Sequence, residues 1–502
     1  MNETTQKKLN ELYSALRRIR TYHHALALLE FDFETSAPEM ARDKEGEVIS
    51  FFSNQAFRIS NSKKTKDLIV YLNDKKEELS ELDRALVDGL YENYLKDKNV
   101  SAGKQLKWSK MLNSAYIDWV NAKNAQDFSI FKRSLSNVIK IHRESVALRD
   151  NKLENVYDNV LNDCEKGVLS GDLDVFFEEL KVGLKDLIGK IKASKHNIRT
   201  DFLSRPVPIY KQEEFSRYLL ELNGYDFGRG YLTTTEHPFT IDIAENDARV
   251  TTHYYENNFL SNIYSVVHEG GHAIFMQNER KVDYEHFIND RITNGMHESV
   301  SRFYENVIGR SEEYIHLIYP KFHELFAEEL GDVTERELYE AVNLVTPSLI
   351  RTDADEVTYG LHIVIRYELE KALFDGSIKV KDLPRRWNAL YKEYLGVCPK
   401  NDSEGVLQDT HWSGSFGYFP SYALGNAYNA MYLKEIKKAM DFSGAIENGA
   451  FEAIKSWLKD NVFAKANVLP PKKWLEDITG KSLSAKDFLE YLNEKYSKIY
   501  EF

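Results

Sequence analysis

Two histidines one helical turn apart, with a glutamate beside the first, constrain this chain more than any other stretch: His268-Glu269-Gly270-Gly271-His272. On a helix, residues four apart share a face. His268 and His272 can therefore aim two imidazoles at one metal ion, with Glu269 alongside. The set suits a zinc hydrolase, with two nitrogen ligands and a carboxylate able to take a proton from water. Leu260, Ile263, Val267 and Ile274 recur at helical spacing, so the stretch is read as a helix. Each glycine costs a helix roughly 1 kcal/mol relative to alanine. A pair of them implies a close backbone approach, by substrate or by a neighbouring element. A third ligand is expected downstream. Glu298, in Met296-His297-Glu298-Ser299, follows 26 positions after His272 and opens a second predicted helix through Phe303 and Val307. Two histidines and one carboxylate leave a zinc position open for water, as catalysis requires. The bland alternative is a solvated helix face with two surface histidines. The downstream glutamate argues against it.

The rest of the chain reads as mostly helical. Only 25 Gly and 11 Pro occur in 502 residues, and helical spacing of apolar residues runs through most of them. Neither a Pro/Ser-rich linker nor an internal repeat divides the chain. One large two-lobed body, a single domain over 1–502, is therefore expected. About 1–200 forms an N-terminal helical lobe covering a cleft, and about 201–502 the catalytic part. The first helix is read over 5–31, and Ser36-Ala37-Pro38 as a turn. Three β-branched and aromatic runs just before the motif predict a small sheet: 231–235, 239–243 and 249–255. An edge strand there could pair with an extended peptide, and a structural hairpin is the equal alternative. Further helices are predicted at about 311–330, 335–344 and 354–375, from Pro420 to about 439, and over 445–502.

Composition excludes several classes. A net charge of −13 disfavours a nucleic-acid partner. Cys164 and Cys398 make no disulfide framework and read as free thiols in a reducing compartment. The first twenty residues lack the apolar core of a secretion signal, and no apolar run reaches the roughly 18 residues of a membrane span. A soluble cytoplasmic protein without a membrane partner is expected.

Six separated motifs, in order, carry a family resemblance. They are His237-Pro238-Phe239, then Asp247-Ala248-Arg249-Val250-Thr251, then the His268–His272 stretch, His297-Glu298-Ser299, Ile350-Arg351-Thr352-Asp353-Ala354-Asp355, and Gly405 to Trp412. Across essentially its whole length the chain resembles the carboxypeptidase Taq family. A looser match runs from Phe31-Asp32 to Pro38, where Phe31 stands for the family's usual Trp and Ala37 for its Met. Val300 stands where the family usually has Gln or Gly.

The resemblance implies a mostly helical, saddle-like body with a deep cleft, similar to neurolysin and angiotensin-converting enzyme, and a homodimer. It implies zinc or cobalt as the metal, and removal of single residues from peptides with a free C-terminus. It implies His268, His272 and Glu298, rather than His297, as ligands, and Glu269 as general base. His411 and Tyr422 are the candidate oxyanion donors, by the spacing of His411, Tyr418 and Tyr422. An exopeptidase also needs a cation for the terminal carboxylate, and arginine offers a planar fork. Arg351 is chosen, with Tyr418 assisting. Arg249 is the rival, though Asp247 suggests a strand-end ion pair. His237 and Phe239 would line the cleft, and Gln408 and Asp409 would orient His411. For Arg351 the structural alternative is a salt bridge with Asp353 or Asp355. Two other functions compete: a zinc oligoendopeptidase of the same fold, lacking the carboxylate clamp, and a catalytically dead helical scaffold. Intact Glu269 argues against the scaffold.

Overall fold

A computed structural model describes residues 1–502. Helices dominate it, from Glu3–Thr35 to Lys486–Tyr500. The first is longer than its apolar spacing predicts. Asn2 caps it, accepting from the Thr5 amide at 2.9 Å, and it runs on to Thr35 before the turn into Pro38. The capping oxygen satisfies one of the amide groups a helix start leaves unpaired.

Apolar side chains segregate into two cores. Leu9, Leu12, Leu68, Ile69, Leu72, Leu79 and Val87 form a small one within the first hundred residues. The large core begins at Ala115 and ends at Tyr500. It therefore includes helices of the first two hundred residues, such as Phe128–Leu148 and Ser170–Ala193. The small unit meets the rest through polar and aromatic contacts, with Tyr13 against Phe287 and Phe31 against Phe239. Tyr13 and Asp83 both bond His286, at 2.9 and 3.1 Å, and Arg20 donates to the Tyr284 carbonyl at 2.6 Å. Between the two lies a cavity of about 930 Å³, walled by Arg20 and His24 on one side and Ile241 to Glu245 on the other.

The predicted sheet is present and small. β1 (Leu232–Thr234) runs parallel to β3 (Asp247–Thr252), and β2 (Thr240–Ala244) antiparallel to it, in the order β1-β3-β2. β2 is thus an edge strand facing the cavity. The third strand stops at Thr252, three residues short of the prediction. His253 instead turns its ring to the Thr235 carbonyl, at 3.0 Å, and stacks on Tyr255. The predicted 354–375 helix starts only at Tyr359, because Asp355 accepts from the Val357 and Thr358 amides and holds the chain in a turn. No helix is long and apolar enough to cross a membrane.

Candidate active site

The motif lies on a helix, Phe259–Gln277, whose start is capped by Asn258. Its two glycines face different neighbours: a Cβ at Gly270 would meet the Leu220 side chain of the helix Ile209–Asn223, while Gly271 answers a backbone crossing. A Cβ at Gly271 would meet the Ser301 Cα at 2.8 Å and the Val300 carbonyl at 3.2 Å, both backbone atoms of the helix Asn294–Arg302. Gly425 repeats the device one turn earlier on that helix, where a Cβ would meet Glu298 at 2.8 Å. The close approach is by a neighbouring element, and it brings Glu298 against the two histidines.

Glu298 Oε2 lies 3.7 Å from His268 Nε2 and 3.6 Å from His272 Nε2. Ligands at zinc's usual 2.0–2.2 Å in a tetrahedron sit roughly 3.4 Å apart, so the spacing fits one metal ion. The donor chemistry fits as well: two imidazoles and a buried carboxylate on one point. Each imidazole is fixed from behind. His268 Nδ1 meets Glu305 Oε2 at 2.8 Å, and His272 Nδ1 meets His297 Nδ1 at 2.5 Å. The Glu305 carboxylate can only accept from His268 Nδ1 and so leaves Nε2 free as a ligand, while His297 holds the His272 ring in place. His297 thus stands behind His272 rather than at the metal. Burial, with His272 adding to it, pushes its basicity far below the usual histidine range.

Glu305 and Arg302 were not legible as site residues. Glu305 reaches His268 because the helix widens into a π-helical turn over Phe303–Ile308, a feature frequent at functional sites and without a periodic sequence signal. Against the burial cost, Arg302 and His268 hold its carboxyl down to about 2. Glu298 is likewise held well below the usual carboxylate range, with Arg302 and the two histidines outweighing burial. Thr240, at the start of β2, was also missed. Its hydroxyl donates to Glu269 Oε2 at 2.6 Å, and also lies 2.9 Å from the Glu269 carbonyl.

A second cluster surrounds Arg351. Asp409 accepts from Arg351 Nε at 2.9 Å and from Arg366 Nε at 2.7 Å, while Gln408 accepts from the Arg351 amide and from Arg366. Gln408 and Asp409 therefore anchor the arginines, correcting their expected role of orienting His411. The alternative partners of Arg351, Asp353 and Asp355, do not pair with it: its ion pair is with Asp409, and Asp355 binds backbone amides and the Thr358 hydroxyl. Two guanidinium groups share one carboxylate, so the cluster keeps a positive charge in excess. His362 adds none, because burial pushes it far down. Arg366 is wholly buried and Arg351 is 7% exposed, so the excess emerges at Arg351. Its Nε and Nη1 bind inside the protein, Nη1 to the Tyr359 hydroxyl at 3.2 Å, leaving the Nη2 end of the fork.

His411, Tyr418 and Tyr422 come together as their spacing predicts. His411 Nε2 lies 3.2 Å from the Tyr422 hydroxyl, and the tyrosine rings are 5.2 Å apart. Arg351 lies 4.8 Å from the centre of the Tyr422 ring. Burial lowers His411 to about 4, and its Nδ1 is buried without a partner. Burial raises Tyr418 to about 12 and Tyr422 higher, with the Glu298 charge adding to both. Neutral imidazole and protonated phenols are hydrogen-bond donors at neutral pH.

Arg249 and His237 sit differently. Arg249 forms a two-point ion pair with Asp247, at 2.9 and 2.8 Å, and stacks over Phe31 of the first helix. Those contacts are structural, tying sheet to helix. His237 is exposed in the turn between β1 and β2, whereas Phe239 packs against Phe31 at 6.3 Å.

A helical body with two histidines and a glutamate focused on one point, and a second glutamate, Glu269, next to His268 on the same helix, fits a metal-dependent peptidase. Comparison with known proteins agrees. The model of the carboxypeptidase Taq (M32) metallopeptidase family matches residues 11–496, and the chain belongs to that family. Carboxypeptidase 1 of Bacillus subtilis is 37% identical over 492 residues, covering 98% of each chain. Thermostable carboxypeptidase 1 of Thermus thermophilus is 39% identical over 395 residues, 76% of this chain and 77% of that one. The crystal structure of the M32 carboxypeptidase from Deinococcus radiodurans superposes with a TM-score of 0.95 at 29% identity, covering 99% of this chain and 100% of the other. The chain is thus a metal-dependent carboxypeptidase, a peptide hydrolase.

Proposed function

We propose that the chain releases single residues from the free C-termini of peptides, with zinc or cobalt held by His268, His272 and Glu298. The observation that carries this reading is the surplus positive charge at Arg351 beside the His411–Tyr422 pair, a place for a terminal carboxylate next to a place for an oxyanion. When bound, the metal supplies Lewis acidity that makes water acidic enough to attack near neutral pH. Glu269 Oε1 takes the proton of the attacking water, while Thr240 holds Oε2 and so fixes the carboxylate plane. The same carboxylate then hands that proton to the departing amine. His411 Nε2 and the Tyr422 hydroxyl donate to the oxygen that gains charge, and donors positioned in advance cost no reorganisation at that moment. Arg351 Nη2 with the Tyr418 hydroxyl holds the terminal carboxylate. The cavity beside β2 takes the upstream peptide, within the saddle-like body of the neurolysin kind.

Mass spectrometry of a peptide mixture, with and without chelator, tests this reading. Ladders shortened one residue at a time from the C-terminus are expected, abolished by chelator and restored by zinc or cobalt. Internal cuts, or equal cleavage of C-terminal amides, would assign the site to an oligoendopeptidase instead.

A further inference from the structure

Glu298 presents two oxygens, and they have different neighbours. Oε2 faces both histidine Nε2 atoms, with the Ser301 hydroxyl at 3.3 Å. Oε1 accepts from Arg302 Nε at 2.8 Å. Arg302 Nη1 donates at 2.9 Å to Glu305 Oε2, the same oxygen that meets His268 Nδ1. The guanidinium plane is fixed by the Tyr359 ring, 4.5 Å from its central carbon. Arg302 therefore touches the partner of one ligand and the idle oxygen of another. A planar fork can do both, whereas an ammonium is a point charge that serves one carboxylate well.

We propose that Arg302 is a positioning residue that holds Glu298 to one ligand oxygen and fixes His268 through Glu305. Free of Arg302, the Glu298 carboxylate could turn both oxygens to the metal and fill the position that water needs. With Nε on Oε1, only Oε2 is offered. The same guanidinium holds Glu305 Oε2 against His268 Nδ1, so the ring stays oriented with Nε2 toward Glu298 Oε2. The inference rests on the metal reading proposed above.

Two measurements test it. In the zinc-loaded wild type, X-ray absorption should show one short carboxylate oxygen beside two imidazoles; a pair of longer carboxylate distances would overturn the idea. In Arg302→Lys, metal affinity by chelator competition should fall roughly 10- to 100-fold, the loss typical of an outer partner of a metal ligand. The cobalt-loaded variant should absorb more weakly in the visible, as coordination number rises, while far-UV circular dichroism stays that of wild type. A purely structural role would leave the cobalt spectrum alone, and affinity within twofold together with an unchanged spectrum refutes the proposal. If Arg302→Lys does not fold, the wild-type measurement still decides. A wild type that binds no metal, or a His268→Ala variant that binds as well as wild type, would instead refute the metal reading itself.

Discussion

Glu269 stands outside the His268, His272, Glu298 group, and its only side-chain bond is from Thr240. Glu269→Gln should therefore keep the metal and lose the reaction, since positioned acid–base groups are worth roughly 100- to 10,000-fold. Elemental analysis beside a turnover assay checks both halves, and a loaded variant within a few-fold of wild type would remove Glu269 from the role of base. Arg351 makes a sharper distinction. Truncating one partner of a desolvated, hydrogen-bonded charge pair costs on the order of 2–5 kcal/mol. Arg351→Ala should thus lower kcat/KM for a free-acid peptide by roughly 30- to several-thousand-fold, at about 1.4 kcal/mol per tenfold. Its effect on the matching amide should be small, because the amide already lacks that pairing. Equal losses on both substrates would mean only that the Arg351–Asp409–Arg366 cluster had come apart.

At the scale of elements, the site depends on how closely three helices approach. Gly271 and Gly425 each let a helix close on Asn294–Arg302, and that spacing sets Glu298 Oε2 within reach of both histidines. Gly271→Ala should cost roughly 1–3 kcal/mol, as overpacking does in a filled interior. It should also weaken metal binding, because the helix must move off with Glu298. Thermal melting of the metal-free and zinc-loaded proteins checks this, with a smaller gain on loading expected in the variant. The glycine pair was readable as a close approach, since two glycines inside an apolar-periodic helix have no other local reason. The identity of the neighbour was not, because it lies thirty residues on in the chain. Nor was the cap of that neighbour. Thr293 leaves its own helix uncapped and donates instead to Glu165, whose other oxygen accepts the Gly295 amide at 2.9 Å. A cap supplied from 130 residues away leaves no trace in a local window. The His411, Tyr418, Tyr422 group was legible because all three lie on one turn and the helix that follows, whereas the Arg366 anchor lies a helix away from Asp409.

At the scale of the whole molecule, several carboxyls are buried without a cation. Glu165 and Glu370 are bound by neutral donors, and burial raises each to about 7. A raised carboxyl stabilises the fold fully below its ordinary value of 4.5, and that contribution is lost as pH rises through about 7. Each shift corresponds to about 3 kcal/mol over the whole span from 4.5 to about 7, of which roughly 1 kcal/mol is still to be lost above pH 6.5. The urea midpoint should therefore fall between pH 6.5 and 8.5. Lower pH is a poorer test, because buried neutral histidines such as His411 and His362 then begin to charge and act in the opposite direction. A midpoint that rises across that window would contradict the assignment. The overall helical body and the small sheet were both visible in periodicity. The separation of apolar side chains into two cores was not, since both draw on the same spacing.

That separation makes unfolding a two-part process. Seven side chains hold the unit from Leu9 to Val87, a hundred hold the remainder, and cooperative opening follows such boundaries. Amide hydrogens in Lys63–Asp74 and Glu81–Asp97 should exchange at a lower opening free energy than those in Phe259–Gln277, measured by native-state exchange in low denaturant. Uniform exchange across both units would mean a single cooperative block. The less protected unit is also the one that walls the cavity beside β2. If the cavity takes the upstream peptide as proposed, the coordinate along which this protein first comes apart is also the coordinate along which that peptide enters, and the free energy that guards the fold at that edge would also gate the door.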